Sequence, residues 1–457
     1  MEYKKNKVSG LKLAYIGGGS RGWAWKLMND LKKATDISGT VYLYDIDYPA
    51  AKNNEQIGNT IDGKLWNYVA VETIGEALMG ADFVIISILP GTFDQMAVDV
   101  HAPEKYGIWQ PVGDTAGPGG FIRGLRTVPM LRYIADRIRA FCPEATVINY
   151  TNPMAVCIGA LYREFPQIRA YGCCHEVFGT QKLLANALAD MTGIRTHRRE
   201  IKVNVVGVNH FTWFTDAHYR DMDLFPMYRE FTEKYLHTGF NPNSLGEWMD
   251  NVFRNDARVR MDLFRRFGFI AAAGDRHLAE FMDQQDYLSS PSHANSWAFA
   301  MTTVDWRKQD LEKRLARSQR LLTGQEVYVL QDTGEEGVDQ LRALCGLGDM
   351  ITNVNIPNQG QIPNLPLGTV VETNATFRCD GFRPVLAGPI PESIYPLVSR
   401  AAAENEAVLD AAFSQELECA WEGFRKLNML KGLPDAQKRA LFEEMTAGTA
   451  EYLQDYT

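Results

Sequence analysis

Two short stretches of the sequence carry side chains of the kinds that bind divalent metal ions. YGCCHEVFG, at residues 171–179, sets Cys173 and Cys174 beside His175, and GVNHFTWF carries His210. Adjacent strand residues point to opposite faces, so only one of the two cysteines can serve a given site. A thiolate with an imidazole would leave positions open for substrate oxygens, as a catalytic metal requires. The alternatives are core packing for Cys174 and a core or capping role for His210.

A glycine-rich turn, IGGGSRG, follows the first predicted strand and precedes the first predicted helix. Its spacing, GxGxxG, permits a tight turn and a close backbone approach to a pyrophosphate at the positive end of a helix. Asp45 ends the second predicted strand, where a carboxylate can bind a ribose diol and repel a 2′-phosphate. The alternative is a glycine turn with a solvated aspartate. The residues predicted to bind NAD, in preference to NADP, are Gly17, Gly18, Gly19, Ser20, Gly22 and Asp45.

Two further polar segments adjoin this predicted sheet. In INYTNPMAV, Asn149 and Asn152 follow a strand, at the edge where doubly wound folds bind their ligands. Asn-Pro is also a common turn pair, so a simple turn is an equal alternative. In PVGDTAGPGGFIRGL, Asp114 stands among glycines ahead of a long helix. This pattern favours an ordered active-site loop over a linker.

The elements that must position these residues alternate between short β-rich runs and helical patterns, which is typical of a parallel sheet with crossover helices. Predicted strands cover residues 11–16, 40–45, 82–88, 146–150, 169–173 and 201–209. Predicted helices cover residues 23–33 and 125–141, and the chain from residue 393 onward is mostly helical. We predict an α/β protein with two domains. Residues 1–195 form a Rossmann-like, doubly wound parallel sheet that binds NAD, and residues 196–457 form an α+β domain for substrate, metal and oligomerisation.

The composition excludes several classes of protein. The 457 residues are 46% hydrophobic, which is enough to fill a large core, and the formal net charge is −9 with scattered basic residues. Such a charge favours neither nucleic acid nor an anionic membrane as a partner. Seven cysteines without framework spacing indicate reduced thiols and a cytoplasmic location. The sequence has neither a signal peptide pattern nor an apolar run long enough to span a bilayer.

Taken in order, these motifs resemble glycoside hydrolase family four, the glycosidases that depend on NAD and a divalent metal. The resemblance covers nearly the whole chain and rests on IGGGS, GDTAGPGGF, INYTNP, the Cys-His-Glu-Val run, GVNH and NQGQIPNLPLGTVVE at residues 358–372. In this family the residues after the metal cysteine vary with substrate, and CHEV resembles the α-galacturonidase branch. The resemblance implies that Cys174 and His210 bind the metal, usually Mn²⁺, and that Cys173 is packing.

The resemblance also implies an unusual hydrolytic mechanism, because a dinucleotide fold serves a hydrolase. NAD takes hydride from sugar C3, and the metal stabilises the enediolate that forms when a base removes the C2 proton. Elimination at C1, addition of water and return of the hydride complete a net hydrolysis. This scheme differs from the paired carboxylates of most glycosidases.

The remaining site residues follow from the same resemblance. Asn152 matches an asparagine near sugar and nicotinamide, and Asp114 matches an acidic residue of the glycine-rich loop. His175 takes the place of a proposed general acid, or only holds the sugar. The family's tyrosine base is absent from GDRHLAEF, where His277 and Asp275 are the candidates and a helix cap is the alternative for Asp275. Residues considered for contact with the substrate, including its carboxylate, are Asn149, Asn152, His175, Arg276, Arg21 and Arg123.

The sequence therefore predicts a cytoplasmic enzyme that cleaves small α-galacturonides as a homodimer or homotetramer. The first alternative is an α-glucosidase or α-glucuronidase of the same family. The second is an NAD-dependent 2-hydroxy acid dehydrogenase of the lactate or malate type, whose fold is similar and which would release NADH. The third is a catalytically silent NAD sensor. The pair Cys174 and His210 argues against the last two, because neither needs a metal.

Overall fold

The computed structural model describes residues 1–240 and 255–457, and the β-strands of these ranges form two sheets. The strands are β1 (Glu2–Lys4), β2 (Lys7–Ile16), β3 (Ile37–Tyr44), β4 (Trp66–Val71), β5 (Phe83–Ile86), β6 (Thr146–Asn149), β7 (Arg169–Gly172), β8 (Ile201–Val208), β9 (Phe211–Tyr219), β10 (Met222–Asp223), β11 (Ile270–Ala271), β12 (Met350–Pro357), β13 (Val370–Arg378) and β14 (Gly381–Pro384).

Helices cover both faces of the larger sheet and build most of the second half. The α-helices are Trp23–Lys33, Tyr48–Asp62, Ile74–Leu78, Phe93–His101, Gly117–Phe141, Met154–Glu164, Glu176–Thr192, Phe225–Tyr235, Arg258–Phe267, Asp275–Phe281, Gln284–Tyr287, Pro291–Ser296, Val304–Leu322, Gly337–Leu344, Tyr395–Ser414, Leu417–Phe424 and Asp435–Ala447. Short 3-10 helices are Pro103–Tyr106, Arg198–Glu200, Asn428–Leu430 and Ala450–Tyr452. Among the described residues, no helix combines the length and apolar character needed to cross a lipid bilayer.

The larger sheet confirms the predicted Rossmann-like fold. Its parallel part runs in the order β4-β3-β2-β5-β6-β7, so the chain starts in the middle and winds first to one side and then to the other. The central strand β5 is FVII, and all four of its residues are buried because helices cover both faces. In such a sheet the ligand cleft lies at the carboxyl edge, where the winding direction reverses between β2 and β5.

The predicted strands and the helix Trp23–Lys33 are confirmed, with end shifts of a few residues. One boundary is wrong: the helix predicted to begin at residue 125 begins at Gly117, so most of the glycine-rich segment after Asp114 is helical. This helix packs closely against the helix Tyr395–Ser414 at Gly124, where a Cβ would clash with Val408. Tertiary contact outweighs the low helix propensity of glycine.

Three strands from the second half of the chain extend the parallel sheet. β12, β13 and β14 continue it antiparallel beyond β7, and Asn355 of β12 pairs with Gly172 of β7. The division into domains at residues 1–195 and 196–457 stays a prediction. The larger sheet contains strands from both segments.

The smaller sheet supplies the hairpin that carries His210. β8 and β9 are antiparallel, and Val208 pairs with Phe211, so only Asn209 and His210 form the turn between them. Both strands are largely buried, and β11 pairs with the start of β9. The Asn374 side chain of β13 donates a hydrogen bond of 2.7 Å to the Val203 carbonyl, which ties the two sheets together.

A fully buried ion pair links the helices Phe93–His101 and Gly117–Phe141. Arg126 binds Asp99 through both of its terminal nitrogens, with neither side chain exposed, and its Nε donates to the Pro90 carbonyl at 3.0 Å. Asp99→Asn keeps the shape but leaves the guanidinium charge uncompensated. We expect it to lower the free energy of unfolding by about 3 kcal/mol, measured by urea denaturation.

The control for this prediction is an exposed pair. Arg163 and Asp410 lie 2.7 Å apart at the surface, where Asp410 is 65% exposed. Asp410→Asn should change the free energy of unfolding by less than about 1 kcal/mol. Equal losses in the two variants would contradict the argument from burial.

Candidate active site

The glycine loop has the backbone geometry that a dinucleotide site needs. Gly17 has a φ of +93°, and a Cβ there would clash with the Ser87 carbonyl oxygen at the end of β5. The N–H groups of Gly17 and Gly18 both donate to the Tyr44 carbonyl at 2.9 Å, which holds the turn over the sheet edge. Gly22 directly precedes the helix Trp23–Lys33, whose amino end therefore points at the loop.

Asp45 lies beside this loop, as the sequence predicts. Its carboxylate accepts hydrogen bonds from the Gly19 N–H at 2.8 Å and the Asp47 N–H at 3.0 Å. Burial raises the pKa of this carboxyl above its ordinary value. The two bonds orient Asp45 at the end of β3, where a ribose would lie in a Rossmann-like fold.

Asn54 also supports the loop, although no sequence motif marks it. Its amide donates to the carbonyls of Gly18 at 2.8 Å and Ser20 at 3.0 Å, and its carbonyl accepts from the Trp25 indole at 2.8 Å. The side chain is only 1% exposed. No spacing rule connects Asn54 to the glycines, because the contact depends on how the helix Tyr48–Asp62 packs.

The two asparagines after β6 have different roles. Asn149 forms a local turn, donating to the Thr151 carbonyl at 2.9 Å and accepting from the Thr151 N–H at 3.2 Å. Asn152 reaches Asp114 with its amide at 3.4 Å, while its buried Oδ1 meets no donor among the described residues. The turn explanation therefore suits Asn149, whereas Asn152 presents an unused acceptor to the cleft.

Thr115 fixes the orientation of His210. Its hydroxyl donates to the Asp114 carboxylate at 2.8 Å and lies 3.0 Å from Nδ1 of His210. A hydroxyl has one proton, and the carboxylate can only accept it, so His210 must carry its own proton on Nδ1. This tautomer leaves the Nε2 lone pair of His210 available to a metal ion. The threonine was missed in the sequence although it directly follows Asp114.

His210 occupies a backbone conformation that few side chains adopt. It has a φ of +62°, in the left-handed region, and is only 4% exposed. Residues held in this region at turns cost free energy and are common at functional sites. The tight turn between β8 and β9 holds the imidazole in the interior.

Three side chains converge on a point that could hold a cation. Ligand atoms of Asp114, His210 and His277 all lie within 4.8 Å of one another, and the two imidazole centroids are 3.8 Å apart. Burial and the neighbouring His210 lower the pKa of His277 to about 3, so this imidazole is neutral near pH 7. A carboxylate with two neutral imidazoles is a donor set that suits Mn²⁺ or Zn²⁺.

Glu176 joins the histidines of the site, and its role was also missed. Its carboxylate accepts from the Gly274 N–H at 2.6 Å and lies 3.8 Å from His277 Nε2 and 4.0 Å from His175 Nε2. Burial alone would raise the pKa of Glu176, but His277 and His175 lower it to about 2. Nothing in the motif CHEV indicates that its glutamate contacts Gly274 and His277, about a hundred positions further along the chain.

Cys174 lies next to this cluster but is not one of its three members. Its buried thiol lies near Asn209, the neighbour of His210, and burial raises its pKa well above the ordinary value. Asn209 in turn donates to the buried Glu372 at 3.3 Å. The pairing of Cys174 with His210 on one metal stays a prediction. Cys173 faces away and donates to Gln340 at 3.0 Å, as packing requires.

Asp275 does not face the cluster. Its buried carboxylate accepts from the backbone N–H groups of Val259 at 3.1 Å and Arg260 at 3.2 Å, at the amino end of the helix Arg258–Phe267. The capping interpretation therefore describes Asp275, although the helix it caps is not its own. These contacts favour a structural role for Asp275, and its assignment as a base stays a prediction.

The other predicted residues surround the cleft. His175 is half exposed, 6.1 Å from the Trp23 ring and 3.7 Å from Glu335. Arg276 is near Glu176 and Asp114, and its guanidinium contacts the Thr302 hydroxyl.

The two other arginines considered for the substrate each have a partner in the structure. Arg123 donates to the Asn152 carbonyl at 3.0 Å, behind the cluster. Arg21 pairs with Asp47 at 3.6 Å, beside the glycine loop. Arg123 also keeps a buried Nη1 without a partner among the described residues, and its charge helps to lower the pKa of Asp114.

Thr115→Val should weaken binding of Mn²⁺ by about 10–100-fold, because the imidazole of His210 would lose the bond that sets its tautomer. Isothermal titration calorimetry with Mn²⁺ measures the dissociation constant of the variant and of the parent. Thr446→Val is the control, since that hydroxyl donates only within its own helix. Equal Mn²⁺ affinity in the Thr115 variant and the parent would show that the hydroxyl does not support a metal ligand.

These features define a Rossmann-like α/β protein with a cluster of metal-donor side chains at the carboxyl edge of its sheet. The model described as family 4 glycosyl hydrolase matches residues 12–190, and that of the family's C-terminal domain matches residues 205–425. The chain therefore belongs to glycosyl hydrolase family 4, and it is a glycosidase.

Several relatives match over nine-tenths or more of their length. An α-galacturonidase of Thermoanaerobacterium saccharolyticum is 55% identical, over 100% of this chain and 99% of that protein. An α-galacturonidase of Bacillus subtilis is 51% identical, over 91% and 92%. A B. subtilis crystal structure described as a glucosidase has a TM-score of 0.93 at 48% identity, covering 96% of this chain and 100% of that one.

A more distant structure shares the fold. A 6-phospho-α-glucosidase from gut microorganisms, solved with NAD and Mn²⁺, has a TM-score of 0.80 at 21% identity, covering 97% of this chain and 99% of that one.

Proposed function

We propose that this glycosidase hydrolyses small α-galacturonides and uses NAD and a divalent metal ion, Mn²⁺ in the first instance. The observation that carries the substrate is the identity of 48–55% to proteins named α-galacturonidase over essentially the whole chain. The sequence run Cys174-His175-Glu176-Val177 points the same way by resemblance.

The residues present fit NAD. The loop at Gly17 leaves no room for a side chain, the amino end of the helix Trp23–Lys33 faces it, and Asp45 stands at the end of β3. A pyrophosphate is stabilised by such a helix end, and a ribose diol by such a carboxylate. Gly17, Gly18, Gly19, Ser20, Gly22, Asp45 and Asn152 are the residues that we propose for NAD.

The residues present also fit a divalent metal ion. His210 has its Nε2 lone pair available, and Asp114 and His277 have ligand atoms within 4.8 Å. Cys174 lies against Asn209, beside His210, so a thiolate could complete the set. The proposed ligands are His210 and Cys174, with Asp114 or His277 as a third.

When bound, NAD would accept a hydride from the sugar, and the metal ion would act as a Lewis acid on sugar oxygens. The protein's own side chains would then position the ring and transfer protons. The buried Nδ1 of His277 meets no partner among the described residues and can accept a proton. The half-exposed imidazole of His175 can donate one to the leaving group. Glu176 lies between the two rings and aligns both.

We place the enzyme in the cytoplasm as a homodimer or homotetramer that acts on a small sugar, without nucleic acid or membrane partners. All seven cysteines are free thiols, which suits a reducing compartment. Analytical ultracentrifugation tests the oligomer: a monomer at micromolar concentration would contradict it.

The test of the function is hydrolysis of 4-nitrophenyl α-galacturonide under reducing conditions. We expect release of nitrophenol that requires both NAD and Mn²⁺, without accumulation of NADH, because the hydride returns to the sugar. Matched α-glucoside and α-glucuronide substrates should react far more slowly. Faster cleavage of either would favour the alternative glycosidase, whereas stoichiometric NADH without nitrophenol would indicate a dehydrogenase.

A further inference from the structure

Arg307 is a partly buried arginine near Asp114, and its Nε has no hydrogen-bond partner among the described residues. It lies in the first turn of the helix Val304–Leu322, which is capped by the Thr303 hydroxyl accepting from the Trp306 N–H at 3.3 Å. The Nε of Arg307 is enclosed and meets no acceptor among the described residues. A buried nitrogen donor is normally hydrogen-bonded, so the Nε of Arg307 indicates an acceptor that comes from outside the chain.

Arg276 approaches the same place from another segment. Its guanidinium contacts the Thr302 hydroxyl, and the Thr302 N–H donates to the Pro111 carbonyl at 3.2 Å. The chain that leads to Arg307 therefore passes beside the loop that leads to Asp114. Arg276 lies close enough to Arg307 for its charge to lower the pKa of Arg307. Both guanidinium groups lie near Asp114 and Glu280, and Arg276 also lies near Glu176.

The nearby acids are already engaged with other groups. Glu280 accepts from the N–H groups of Val112 at 2.7 Å and Gly113 at 2.9 Å, and burial raises its pKa to about 8. Asp114 accepts from Thr115 and belongs to the metal-donor cluster. Asp114 and Glu176 are the ionised acids nearest to the two guanidinium groups, and no acid among the described residues lies within 4 Å of Arg307 to form an ion pair with it.

We propose that Arg307, together with Arg276, binds the C6 carboxylate of the uronic acid and selects it over a neutral sugar. The inference rests on the proposed α-galacturonide substrate, which differs from an α-galactoside only in having a carboxylate where the latter has a hydroxymethyl group. A planar guanidinium matches a carboxylate with two parallel hydrogen bonds. The cluster of Asp114, His210 and His277 would then face the ring carbons at the other end of the sugar.

Another arginine of the same helix suits a different anion. Arg314 pairs with Asp310 at 2.6 Å, and its guanidinium stands directly over Gly22 of the glycine loop. That position suits a pyrophosphate. Arg307 lies two turns nearer to the cluster, so one helix would contact both cofactor and substrate.

The experiment compares Arg307→Gln and Arg307→Lys with Arg320→Gln, an exposed control on the same helix that pairs with Glu326. Binding of galacturonate, galactose and NAD is measured by titration calorimetry, and kcat and KM by hydrolysis of the 4-nitrophenyl galacturonide. We expect Arg307→Gln to weaken galacturonate binding and raise KM by about 100-fold, and Arg307→Lys by about 10-fold. NAD affinity and galactose binding should stay within about 3-fold of the parent, as should all values for Arg320→Gln.

Each outcome separates the two proposals. If the parent neither binds galacturonate nor cleaves the galacturonide, the proposed function fails and this inference fails with it. If the parent does both and Arg307→Gln binds galacturonate equally well, only the inference is overturned. A loss of NAD affinity equal to the loss of galacturonate affinity would assign Arg307 to the cofactor and also overturn it. If Arg307→Gln does not fold, Arg307→Lys is the test, because it retains the charge. Galacturonate binding by Arg307→Lys equal to that of the parent would then overturn the inference.

Discussion

Replacing His210 with glycine is expected to lower kcat/KM for 4-nitrophenyl α-galacturonide by about 1000-fold, because the variant lacks the Nε2 donor of the proposed metal site. Glycine is the suitable substitution, since His210 has a φ of +62°, which glycine adopts without strain. The variant should keep its fold and lose affinity for Mn²⁺ in titration calorimetry. Added imidazole should fill the space and restore part of the activity.

The control for the His210 variant lies on the same hairpin. His218, at the far end of β9, is 37% exposed and pairs with Asp216 at 2.9 Å. His218→Ala should leave kcat/KM and Mn²⁺ affinity within about 2-fold of the parent. If His210→Gly kept more than a tenth of the parent's activity, the role of His210 as a metal ligand would be wrong.

Gly17→Ala is expected to weaken NAD binding by about 1000-fold. The new methyl group would clash with the Ser87 carbonyl oxygen in the centre of the sheet, and the left-handed φ of +93° would strain alanine further. The loop must move to relieve this clash, and two or more charge-assisted hydrogen bonds to the pyrophosphate would be lost with it. Quenching of tryptophan fluorescence by NAD measures the dissociation constant.

A second glycine separates steric clash from backbone strain. Gly193 ends the helix Glu176–Thr192 with a φ of +78°, and a Cβ there would have no heavy atom within 4 Å. Gly193→Ala should lower the free energy of unfolding by about 1 kcal/mol and leave NAD binding unchanged. NAD affinities that fell equally in both variants would exclude a specific role for the Gly17 turn.

The sheet and the glycine loop could be predicted from the sequence because their signals are local. A buried parallel strand such as β5 is a short apolar run, and the loop that follows β2 is marked by its glycines. The helix Gly117–Phe141 could not be placed in this way. Its first turn is GPGG, which is poor in helix propensity, and contacts far along the chain stabilise it.

The candidate site was only partly accessible from the sequence. Motifs identify Asp114, His210 and His277 singly, but their convergence depends on the packing of a loop, a hairpin and a short helix from distant segments. Glu176 and Arg307 carry no periodic signal at all. Thr115 could have been found, because a hydroxyl next to a candidate acid is a common partner for it. Asp275 shows the opposite case, since nothing local reveals that it caps a neighbouring helix.

The junction between β7 and β12 has a consequence for any attempt to divide the protein. A fragment that stopped at residue 195 would retain β7 but lose β12, which joins it through Asn355 and Gly172. Its backbone N–H and C=O groups would then form a bare edge, to which further copies could add strand by strand. In the full chain β12 covers this edge of β7 and so opposes aggregation. A fragment of residues 1–195 would stay in solution only if another strand paired with β7.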